Sequence, residues 1–198
     1  MLGQIVSLAI ETLRAPRDSA ERVLAFQIDR AYLWMAVGLV AVVSVLASRA
    51  TLLFVPDELQ GTGGPLPTSP FLLALVIWGL LTVSVFCTHY IGRAFDGKGD
   101  MEGALLTTVW LQIVLLVLQV VQIVLFLLSP IIALLFGYLG AMYVFYIFLN
   151  FVLVLHRFQS LGMVLAGTLV SMIGVLFGLS LLIGVIAGLF GLEIATNV

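Results

Sequence analysis

The chain has 198 residues, 63% of them hydrophobic and only 9% charged, where ordinary soluble domains carry about 25%. A formal net charge of −2 supplies no basic face for phosphates, which excludes nucleic acid as a partner. The single cysteine, Cys87, has no second thiol for an internal disulfide and no metal-binding spacing around it. A mean hydropathy of +1.27 completes the picture of a polytopic membrane protein.

Residues 1–30 come first. Leu2, Ile5, Val6, Ala9 and Leu13 recur at helical spacing, opposite Gln4, Glu11 and Arg14, which predicts a short amphipathic helix. Pro16 ends it. Asp18 followed by Glu21 has the spacing of a capping box for a second short helix. Both are expected to lie on the cytoplasmic membrane surface. The polar lead before the first apolar run is too long for a usual secretory signal, so residues 1–30 are expected to stay attached.

A bilayer crossing takes about 20 apolar helical residues. Five stretches qualify, at about 31–54, 71–92, 103–128, 131–156 and 161–190, and together they make a transmembrane domain over 31–190. The expected fold class is therefore all-α, a bundle of five transmembrane helices preceded by short N-terminal amphipathic helices. "VPDELQGTGGPLPTSP", between the first two spans, reads as an irregular loop. Ser129 and Pro130 leave room only for a tight hairpin between the third and fourth spans. Residues 191–198 read as an external tail.

Basic residues orient the bundle. Of the eight, Arg14, Arg17, Arg22, Arg30, Arg93, Lys98 and Arg157 fall on one side, and Arg49 alone on the other, beside Asp57, Glu58 and Glu193. The N-terminus is expected in the cytoplasm and the C-terminus outside.

"GRAFDGKGDMEGALL", between the second and third spans, is the most charged run in the second half of the chain. It lacks the G-x-x-x-x-G-K-[ST] order of a phosphate-binding loop and the ligand order of a calcium loop. Gly97 and Gly99 suit a turn, and Asp100 suits the N-cap of the third span, with Glu102 favourable near the positive end of its dipole. Arg93, Asp96, Gly97, Lys98, Gly99 and Asp100 form the candidate partner-docking loop.

The five-span layout, the lead "RAPRDSAERVL" and the "FDGKGDMEGALL" loop resemble the bacterial branch of the Yip domain family, the Ypt/Rab-interacting-type membrane proteins. The resemblance implies a bacterial plasma-membrane location. Eukaryotic members are linked to vesicle trafficking and to small GTPases of the Rab class. The "DLYGP" signature of that branch is absent, and "GYLG" at 137–140 is a fragment of its second motif, so Rab binding does not carry over.

No span holds a central Asp, Glu, Lys or Arg, which weighs against an ion-coupled pump. Thr108, Gln112, Gln119 and Gln122 share one face of the third span, and Tyr146 and Asn150 one face of the fourth. This candidate polar face either bonds helices together or walls a cavity; Ser84, Thr88 and Gln112 are the expected partners of Asn150. Gly167, Ser171, Gly174 and Gly178 form a small-residue strip suited to helix packing or a homo-oligomer contact. His89 and His156 fall in one leaflet, which a bis-histidine haem would need, but they read as interfacial residues and no cofactor or metal is expected. No catalytic set assembles. The expected function is non-enzymatic: organising membrane, or recruiting membrane or cytoplasmic proteins, through the cytoplasmic face. The alternative is a small-solute transporter or channel lined by the third span.

Overall fold

A computed structural model describes residues 2–55 and 69–190, with the backbone alone at 2, 176, 179 and 182–190. Seven helices and no strand occur among the described residues: α1 (Leu2–Arg14), α2 (Pro16–Leu24), α3 (Arg30–Leu52), α4 (Pro70–Ala94), α5 (Met101–Leu128), α6 (Pro130–His156) and α7 (Leu161–Phe190). The expected loop carrying Asp57 and Glu58, and the expected tail with Glu193, lie outside the described residues.

Four helices, α3 to α6, are long and apolar enough to cross a membrane. The α3 interior is one-sided, whereas α5 is buried on all sides over Gly103–Trp110. In α3, Val37, Val40, Ala41, Ser44 and Val45 are buried while Leu39 and Leu46 are 65% and 64% exposed, an apolar exterior that only lipid tolerates. The α7 helix extends over the whole of the expected fifth span, although its described apolar stretch, Leu161–Val175, is shorter than a crossing requires.

Apolar side chains gain nothing from leaving lipid for one another, so spans are held by packing and by polar contacts. Gln112 donates to Ser44 Oγ at 2.6 Å and Gln119 to Thr51 Oγ1 at 3.0 Å. Both pairs advance seven residues along each helix, so α3 and α5 run parallel with a heptad-spaced polar seam. Gln122 donates to the Ala133 carbonyl across the α5–α6 hairpin at 3.2 Å, and Gly137 leaves it room, since a methyl there would meet the amide. A methyl on Gly140, the other glycine of "GYLG", would rest in ordinary contact with Leu118 at 3.7 Å.

The amphipathic α1 and α2 are docked on the bundle rather than laid apart on a surface. Ala9 and Thr12 of α1 and Ser19, Ala20 and Val23 of α2 are fully buried. Thr12 Oγ1 donates to the Leu8 carbonyl and accepts from Trp110 Nε1 of α5 at 3.0 Å. That satisfies a buried indole N–H, which in an apolar site is costly to leave bare. Pro16 does not merely end α1; it starts α2 at its first position, where its missing N–H costs nothing. The chain turns at Ala15, and the Leu13 carbonyl is taken by the Tyr143 hydroxyl at 2.7 Å. The Asp18–Glu21 capping box does not form, because Ala15 occupies the N-cap and Asp18 sits in the first turn.

The two Gln seams are far enough apart, about 10 Å, for their contributions to add. Gln112→Leu with Gln119→Leu is expected to lower stability by about 1 kcal/mol, read as an earlier unfolding midpoint in mixed micelles titrated with dodecyl sulfate. An unchanged midpoint would remove the seam from the account of the fold.

Candidate functional site

At the end of the bundle where α4 stops and α5 starts, the chain wraps around one side chain. His156 closes α6 and is 1% exposed. Its Nδ1 accepts the Gly99 N–H at 3.2 Å, so the proton of the neutral ring is on Nε2, which donates to the Thr88 carbonyl at 3.0 Å. The His156 carbonyl accepts the Lys98 N–H at 3.2 Å, and its ring stacks on Phe158 at 5.5 Å. Both ring nitrogens are thus committed to backbone, which leaves none for a haem iron.

The glycines explain how a backbone comes so close. A methyl on Gly97 would stand 2.5 Å from Nδ1, and one on Gly99 would stand 2.6 Å from the ring. One on Gly92 would also strike the ring, and one on Gly103 would strike Leu155. Two helix ends meet here, and both finish in the same way. The Gly97 N–H bonds the Gly92 carbonyl with Asp96 left-handed (φ 62°), and the Phe158 N–H bonds the Leu153 carbonyl with Arg157 left-handed (φ 56°). These are Schellman ends without glycine at the left-handed position. Asp100 then caps α5 through Oδ1 and the Gly103 N–H at 2.8 Å, and Asp29 caps α3 through Oδ1 and the Ala31 N–H at 2.8 Å.

Beside this collar lies a cleft of about 720 Å³. Its charged rim comprises Glu21 of α2, Asp29 of the α2–α3 link, Lys98, Asp100 and Glu102 around the start of α5, and Arg157 after α6. The half-buried Leu24 and Leu155, backed by the buried Leu33 and Leu106, form the apolar wall. Among the described residues the one ion pair is Arg22–Glu11 at 2.7 Å, elsewhere on the surface. The opposite charges of the rim therefore face one cavity without closing on each other.

The predicted loop residues divide. Lys98 and Asp100 line the cleft, Gly97 and Gly99 hold His156, and Arg93 and Asp96 point into the open. The predicted polar face does not act as one surface. Thr108 bonds its own helix at the Ala104 carbonyl (3.0 Å), and the three glutamines each spend an amide N–H on a neighbouring helix. Asn150 bonds the Tyr146 carbonyl at 2.8 Å rather than Ser84, Thr88 or Gln112, and with Tyr146 it borders a second, smaller cleft against Ala15–Asp18. Along α7, a methyl on Gly167 would lie 3.9 Å from the Phe95 ring, while one on Gly174 or Gly178 would meet nothing within 4 Å among the described residues. Ser171 bonds the Gly167 carbonyl at 2.6 Å. Among the described residues the close-approach glycines are those around His156 and Gln122. Sequence reading missed Glu21, Asp29 and Arg157 as rim residues. The signal for the collar was the crowding of Gly92, Gly97, Gly99 and Gly103 into so short a stretch.

Apolar lipid-facing helices around a polar-bonded core, with charge gathered at one end, define an integral membrane protein. The family model of the Yip1 domain matches residues 10–191, and the chain belongs to that family. No curated protein and no solved structure matches it.

Gly92→Ala is expected to cost about 1–3 kcal/mol through overpacking against the buried ring, whereas Gly3→Ala and Gly38→Ala, which meet nothing within 4 Å, are expected to leave the unfolding midpoint in place. His156→Ala strips the acceptor from a buried N–H, so hydrogen–deuterium exchange at Gly99 should accelerate well before the bundle as a whole loosens. Equal protection in wild type and variant would dismiss the collar.

Proposed function

We propose that this Yip1-family protein is a non-enzymatic membrane organiser that works through its charged end, which faces the cytoplasm of a bacterial plasma membrane, with the N-terminus on that side and α7 completing a fifth crossing to an outer C-terminus. The observation that carries the reading is the cleft: acids and bases from four parts of the chain converge on one rim, and the His156 collar holds the Lys98 and Arg157 side of that rim in place. Preorganised charges of this kind recognise a partner without the cost of ordering a loop. Arg30, Arg93, Lys98 and Arg157, at or beside the ends of α3, α4, α5 and α6, stand at this same end, as the positive-inside rule expects of a cytoplasmic face. The alternative, a channel lined by α5, loses support because each glutamine of that face is spent on another helix. The α7 strip, where a methyl on Gly174 or Gly178 would meet nothing within 4 Å among the described residues, offers a face for a homo-oligomer.

Crosslinking in native membranes tests the reading. A Lys98→Glu/Glu102→Lys exchange keeps net charge, the Asp100 cap and the glycine collar, so the fold should persist. Proteins crosslinked to the wild-type rim are expected to be lost from the variant. An identical partner profile would overturn recruitment through this face.

A further inference from the structure

We propose that the cleft is a binding site for a zwitterionic phospholipid with a primary amine, of the phosphatidylethanolamine type, seated with its headgroup on the rim and its upper acyl chains along the leucine wall. The inference rests on the reading of this end as the working surface and names the ligand it takes.

Three features of the cleft fit that chemistry together. The first is paired but unjoined charge. Lys98 and Arg157 supply the cations for a phosphate, while Glu21, Asp29, Asp100 and Glu102 supply carboxylates for an ammonium. Among the described residues none of the six is in an ion pair. Asp29 and Asp100 spend only Oδ1 on their helix caps, which leaves Oδ2 of each as an acceptor. A primary ammonium donates three hydrogen bonds, which a quaternary choline headgroup cannot, and a glycerol headgroup lacks the cation altogether. The second is the direction of polarity. Leu33 follows Asp29 by about one helical turn and Leu106 follows Asp100 by somewhat more, so the wall runs from charged rim to apolar depth over roughly 6–9 Å along the span axes. A soluble peptide or a free phosphate would use the rim and leave that wall bare; an amphiphile uses both. The third is size, since about 720 Å³ lies within the range of pockets that hold one small molecule.

The geometry also fixes which residues read which part. Arg157 is held at the rim by its left-handed backbone, and Lys98 by its own N–H on the His156 carbonyl, so the two cations are presented by the same collar. Arg93, on the last turn of α4, is exposed and stands outside the cleft, which makes it the natural control.

The test uses the full chain reconstituted in vesicles of phosphatidylcholine, phosphatidylethanolamine and phosphatidylglycerol in equal parts, extracted into mild detergent, with the retained lipids counted by native mass spectrometry. Wild type and Arg93→Gln are expected to keep phosphatidylethanolamine in preference to the other two. Lys98→Gln/Arg157→Asn, in which Asn tolerates the left-handed backbone, is expected to retain about tenfold less. Glu102→Gln, a near-isosteric change, should erode the choice of ethanolamine over choline without abolishing retention. Hydrogen–deuterium exchange at Gly99 verifies that each variant keeps the collar. Equal retention of the three lipids, or a preference that survives the Lys98→Gln/Arg157→Asn change in a folded protein, overturns the lipid site. If the crosslinked partners of the wild type are lost from the charge-exchanged variant while lipid retention shows no preference, recruitment stands and the lipid site falls. The reverse result keeps the site and removes the protein partner.

Discussion

The join of α4, the 95–100 loop and α6 at the charged end of this bundle depends on one imidazole bonded at both nitrogens to backbone. His156 takes the Gly99 N–H on one side and gives its own N–H to the Thr88 carbonyl on the other. Each bond by itself is ordinary, but the ring is buried, so losing either partner exposes a polar atom to a medium that cannot replace it. Thr88 belongs to α4, Gly99 to the loop and His156 to α6, so a single side chain sets the relative position of two spans and the start of a third. The glycines follow from this. Backbone can approach an imidazole face that closely only where no Cβ intervenes, which is why Gly92, Gly97 and Gly99 crowd the ring.

Within the membrane the constraint changes from shape to satisfaction. An amide or hydroxyl in lipid must find a partner inside the protein. Gln112 and Gln119 find theirs on Ser44 and Thr51, and both hydroxyls are themselves donors to carbonyls a turn back, at Val40 and Ala47. Each pair is thus a short chain, glutamine to hydroxyl to backbone, in which the hydroxyl both accepts and donates. Such chains fix the register of α3 against α5 in a way that interchangeable leucines cannot, since a slip of one turn would strand several donors at once. The same logic brings α1 into the bundle, where Thr12 serves the Trp110 indole.

The parts of this fold that were legible in the sequence are those that depend on neighbouring residues. Hydropathy located α3 to α6 to within a few residues, the Ser129–Pro130 punctuation located the hairpin, and Asp100 announced its cap. Contacts between distant segments left weaker marks. The three glutamines were visible as a stripe, but a stripe looks the same whether it faces water or another helix; only the positions of Ser44, Thr51 and Ala133 decide. The small residues of α7 carried the usual packing spacing, yet among the described residues a methyl on Gly174 or Gly178 would meet nothing within 4 Å, while the glycines with close contacts mostly face side chains. His156 was visible only as a histidine at a span end. Its importance comes from Gly99, fifty-seven positions away in the chain.

The docking of α1 and α2 ties the rim to the rest of the bundle. The Tyr143 hydroxyl holds the Leu13 carbonyl near the middle of α6, and Trp110 holds Thr12 from α5. The exposed Arg22–Glu11 pair spans the Pro16 corner between the two short helices. A pair that exposed contributes little by itself, so the angle of the corner is set by the buried Ala9, Ser19, Ala20 and Val23, which are small or β-branched and pack without long side chains to adjust. From there α2 runs out to Glu21 and Leu24 at the cleft, and the chain continues through Asp29 into α3. A shift of α1 against α5 would therefore move Glu21 relative to Lys98 and Arg157, whose positions the collar fixes. The rim thus has one side anchored by His156 and one side carried by the N-terminal helices, and its width follows from how those helices sit on α5 and α6.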